Sequence, residues 1–226
     1  MSEQSAPKRT RRAMGAGLSG VVTVVLLFGS QLLMQSGGTA EPSFTAAASE
    51  IERYFQTRND VLYATGSYIQ VLGMLALAWF VGGVYVVLRG AGNAFSWLPA
   101  VALVSGGAAV AAILGSSGEL ATERVEQGLD PQIARLVFDM GSLGFANIWV
   151  ALGSFALATG CAILAARSAP AWLAWWAVIA GVALIAVRAV WTTPLWFLAY
   201  ALFWLWVTVV SIRFITGRTP VGASER

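Results

Sequence analysis

The sequence predicts an all-α, polytopic membrane protein with six transmembrane helices and short outer amphipathic helices. Three observations carry that expectation. Hydrophobic residues make up 58% of the chain and charged residues 11%, where a soluble domain holds roughly 45 to 50% and about 25%. The apolar residues are gathered into runs of about 20, the length that crosses ~30 Å of hydrocarbon. The basic residues fall between those runs, which is how orientation in a bilayer is encoded.

Taken in order, the chain opens with a basic tail over residues 1–16 that carries Lys8, Arg9, Arg11 and Arg12. A single membrane domain follows over 17–216, with spans expected at 17–35, 61–88, 96–116, 140–166, 171–190 and 194–216, and a second tail at 217–226. Arg89, Arg167, Arg213 and Arg218 alternate with the basic tail to one side, while the outer loops 36–60 and 117–139 hold most of the acids. The positive-inside rule then makes both termini cytoplasmic. The first span has one competing explanation, because Gly38-Thr39-Ala40 resembles the small-residue end of a signal peptide. Its apolar run exceeds the usual 7 to 15 residues of a signal core, so an uncleaved anchor is expected.

In the first outer loop, Phe44, Ile51 and Phe55 share one face of "FTAAASEIERYF", the pattern of a short amphipathic helix on the membrane or on the bundle. In the second, Asp130 and Pro131 make an N-cap and a first-turn proline. Ile133, Leu136, Val137 and Met140 give that helix its expected apolar side, with Arg135 opposite. Small residues mark the expected helix contacts: Gly107, Ala111 and Gly115; Ala174, Ala177, Gly181 and Leu184; and the run Asp139, Ser142, Ala146, Trp149, Gly153, Ala156 and Gly160. Such stripes let backbones approach closely in lipid.

Several chemistries are excluded or weakened by composition. The chain has no histidine and one cysteine, Cys161, so it lacks the usual ligand of haem and catalytic zinc, the usual general base, and any internal disulfide. No cofactor and no metal is expected, and no nucleic-acid footprint is present. "GSSG" at 115–118 matches the serine motif of rhomboid-type intramembrane proteases, but Ser117 has no histidine to activate it and Lys8 lies across the membrane. Glu119, Glu123 and Glu126 would line one face of a short outer helix, most simply as a solvated face and otherwise as a calcium or magnesium site.

Arg188 is the most costly charge, because it continues the stripe of Gly181 and Leu184, and intramembrane cations are functional candidates by default. Counted from the turn near Pro170, Arg188 and Asp139 stand at levels ~20 Å apart, so a direct pair requires a break at Gly141 or Gly144. Asn147 and Trp149 are the better neighbours, through a hydrogen bond or a cation-π contact. Tyr63, Ser67, Gln70, Asp139, Ser142, Asn147 and Arg188 form a candidate outer vestibule, or equally a set of helix-to-helix hydrogen bonds. Trp97, Trp172, Trp175 and Trp176 suit the cytoplasmic interface and Trp191 and Trp196 the outer one. The remaining Trp79, Trp149, Trp204 and Trp206 are most simply packing residues, and otherwise line a candidate aromatic pocket for an acyl or isoprenoid chain.

The segments "LDP" at 129–131, "LVFDMGSLGF" at 136–145, "APAWLAWWAVIAGV" at 169–182 and "FWLWVTVVSIR" at 203–213 resemble a family of uncharacterised, mostly actinobacterial, integral membrane proteins. The resemblance extends more loosely over "YIQVLGMLALAWFVGGVYVVLR". It implies six helices and transfers no catalytic residue. The expected role is binding, regulation or scaffolding through the outer face, with the lipid bilayer and a membrane protein as partners. The alternative is an enzyme or carrier for a lipid or isoprenoid, in which Asp139 and Arg188 would act.

Overall fold

A computed structural model describes residues 6–38, 40–90, 96–115 and 130–217, and every regular element among them is helical. Glu119, Glu123, Glu126 and Ser117 lie outside the described residues, as does Thr39 of the small-residue triplet. The helices are α1 (Ala6–Gln35), α2 (Ala48–Thr57), α3 (Asp60–Arg89), α4 (Leu98–Leu114), α5 (Pro131–Ala166), α6 (Ala171–Val187) and α7 (Leu195–Ile215). Five are long and apolar enough to cross a membrane, and α4 is a shorter apolar helix of 17 residues.

The six apolar helices close into a ring in which each packs against its successor: α1 on α3, then α4, α5, α6, α7 and back to α1. Neighbours run antiparallel, so Arg89, Arg167 and Arg213 gather at one end and Glu41, Asp60, Asp130 and Asp139 at the other; we call these the arginine end and the acidic end. The ring is filled. Phe80 of α3, Phe155 of α5 and Phe203 and Trp206 of α7 meet edge to face at 6.2–6.5 Å across its middle. All four are fully buried. Bulky apolar side chains cover the outside instead, including Tyr68, Leu72, Leu75 and Trp79 along α3, the distribution demanded by an apolar solvent.

Small residues set the ring's spacing where the sequence placed them on α5 and α6. A Cβ on Gly153 would stand 2.7 Å from the Gly181 carbonyl, and one on Gly181 2.6 Å from the Gly153 carbonyl. Gly160 meets the Ala174 carbonyl in the same way. On α4 the expected stripe is corrected by one residue. Gly107, Ala111 and Gly115 face outward, and the buried positions are Ala102, Gly106, Ala109 and Val110. The Ser105 and Ser154 hydroxyls bond at 2.7 Å between α4 and α5.

Two expectations about the acidic end also change. The segment after Asp130 is not a separate outer helix, because α5 runs unbroken from Pro131 to Ala166 through Gly141 and Gly144, about 54 Å of helix. Asp130 does cap it, accepting from the Gln132 N–H at 2.8 Å. Its buried outer face is also different: Ala134 and Phe138 pack on Ile51 and Phe55 of α2, while Ile133, Leu136 and Met140 are exposed. The amphipathic helix α2 therefore lies on the bundle. Phe44 stands before it against Trp191 and Trp196, with ring centroids at 5.2 and 6.3 Å.

The helix α1 reaches back to Ala6, into the basic tail. Its Gly17 allows the Ser211 carbonyl of α7 to approach, where a Cβ would stand at 2.5 Å. Ala16 sits against Gly83 of α3 on the next face. The first helix is thus wedged between two others.

Candidate functional site

The acidic end carries most of the charged side chains that have partners, and Arg188 stands there at the end of α6. The glycine contact between α5 and α6 sets the level: Asn147 and Arg188 each lie about 10 Å beyond it on their own helices. The Arg188 Nε donates to Asn147 Oδ1 at 2.9 Å. Its guanidinium carbon stands 5.9 Å from the Trp191 ring centroid, at the outer limit of a cation-π contact. At Arg188 the helix tightens into a 3-10 turn, Arg188–Val190, and Pro194 then starts the return through α7. The hydrogen bond is the one that helix levels predict. The aromatic partner is Trp191 rather than Trp149.

Trp149 belongs instead to a packed aromatic group. It stacks on Trp196 at 5.5 Å with 15° between planes, and Phe145 stands edge-on to both at 5.4 and 5.6 Å. Tyr200 joins Phe145 at 5.7 Å and Trp204 at 5.8 Å. The proposed aromatic pocket is therefore divided. Trp79 is 72% exposed on the outside of α3. Trp206 lies across the bundle, donating its indole N–H to the Leu173 carbonyl at 3.1 Å. The four tryptophans do not surround one cavity, because α3 turns its Trp79 face away from the ring.

The expected vestibule is likewise divided. Asp139 is exposed and sits 3.7 Å from Arg135, one turn back on the same helix, while the rest of its stripe, from Ser142 to Gly160, is buried. Its helix outruns its neighbour here: α6 ends at the level of Asn147, so nothing from α6 reaches Asp139. Ser67 and Gln70 are half-buried on α3. Tyr63 faces Arg58, whose guanidinium carbon lies 4.0 Å from the ring centroid.

Arg58 was not among the sequence candidates, and it organises this corner. The residue is 8% exposed, joins the α2–α3 link, and bonds Asp60 Oδ1 from Nε at 3.1 Å. The rings of Phe55 and Tyr54 stand 4.8 and 5.7 Å from it, so a buried cation is met by three aromatic faces and one carboxylate. A signal was present in the sequence: tyrosines and a phenylalanine on both sides of an arginine between two helices. Crowding by the fold pushes the Glu41 carboxyl above its ordinary range, and the Arg58 charge opposes this. Glu41 still has exposed surface, so the rise is discounted for solvent. Tyr54 is pushed up to about 12, first by burial and then by the charge of Glu41, against the Arg58 cation. It remains a neutral phenol at physiological pH.

Comparison with family models, with curated proteins and with solved structures gives no match to this chain. The chemistry of the site therefore rests on its geometry. Among the described residues, no three His, Cys, Asp or Glu side chains are grouped to hold a metal ion. Arg58, Arg135 and Arg188 are each engaged within the chain. What the acidic end offers is an ordered surface: α2, cemented by Ile51, Phe55 and Arg58, presents Glu50, Glu52 and Arg53 outward.

Proposed function

We propose that this chain is a six-span protein of a bacterial plasma membrane with both termini cytoplasmic, and that it binds or scaffolds another membrane or extracytoplasmic partner through its acidic end. The likeness to uncharacterised bacterial membrane proteins belongs to the same proposal. One observation carries the role: Arg58, Arg135 and Arg188 are each joined to a partner within the chain, as Arg58–Asp60, Arg135–Asp139 and Arg188–Asn147, while Arg53 of α2 is left exposed beside Glu50. Charges spent on internal fastening rigidify a surface; a carboxylate acting as an acid would instead sit in a concave, water-poor pocket that shifts its pKa. Asp139 is exposed on the surface of α5.

A photo-crosslinking residue at Glu52, compared in intact cells with one at lipid-facing Ile179, tests the role. The expected result is a discrete protein adduct at Glu52 alone, lost when Glu50→Lys and Arg53→Glu reverse the neighbouring charges. Identical adducts at both positions would sink the proposal. So would a lipid-soluble substrate retained on gentle purification and lost in Asp139→Asn or Arg188→Leu, because that outcome belongs to the enzyme alternative.

A further inference from the structure

We draw no further inference here: the strongest candidate, the exposed apolar stripe of Ile133, Leu136, Met140 and Leu143 on the outer turns of α5, is an unpartnered helix face, and nothing in the structure shows what covers it.

Discussion

Arg188 and Asn147 are joined by one hydrogen bond between a charged donor and a neutral amide, in an exposed setting. Such a bond is weaker than its buried counterpart because the guanidinium keeps some access to water. In a double-mutant cycle of Arg188→Leu and Asn147→Leu, thermal unfolding in detergent should report a coupling of about 0.5–1 kcal/mol. Strict additivity would show that the pair is a bystander. That bond was legible in the sequence because helical rise fixes levels once a tight turn is located, and the turn at Pro170 located them. Arg58 was not legible by such counting, since its partners come from α2, from the link and from α3, and only the folded chain assembles them. Asp139 is a different case. Its place on a buried stripe was read correctly from periodicity, but periodicity does not say where the neighbouring helix stops, and α6 stops short of it.

At the scale of the helix, the glycines on α5 and α6 were found from their spacing and the one on α4 was missed by a single residue. The difference is contrast. α5 alternates bulky and small residues, so its faces are distinct, whereas α4 is small and apolar nearly all round, and neither Gly106 nor Gly107 stands out from its surroundings. Packing separates them: a Cβ on Gly106 would meet Val81, while one on Gly107 has nothing within 4 Å. Gly153→Ala and Gly181→Ala should each destabilise the detergent-solubilised protein by about 1–3 kcal/mol, the usual cost of overpacking. Gly107→Ala should be neutral or slightly stabilising, since alanine is the better helix former by nearly 1 kcal/mol. A Gly107→Ala loss larger than that of Gly153→Ala would place the wrong face of α4 against its neighbours.

For the molecule as a whole, the number of spans turns on α4, whose 17 residues give about 25 Å of helix against ~30 Å of hydrocarbon. Connectivity argues that it crosses. The helix α3 finishes at the arginine end with Arg89, α4 starts from that end at Leu98 and lies antiparallel against both α3 and α5, and α5 starts at the acidic end with Pro131. A chain that failed to cross at α4 would have to bring α5 in from the arginine end, reversing α5, α6 and α7 against α1 and α3 and breaking the Gly17–Ser211 contact between α1 and α7, which depends on their directions. The missing length is about 5 Å, which Ser96 and Trp97 before the helix and Gly115 after it supply. Cysteine labelling in a Cys161→Ser background gives the check. A membrane-impermeant maleimide applied to intact cells should modify Glu52→Cys and Leu114→Cys and spare Thr216→Cys until the membrane is permeabilised. If Leu114→Cys were protected and Thr216→Cys modified in intact cells, α4 would not cross, and the bundle would have five spans with its termini on opposite sides.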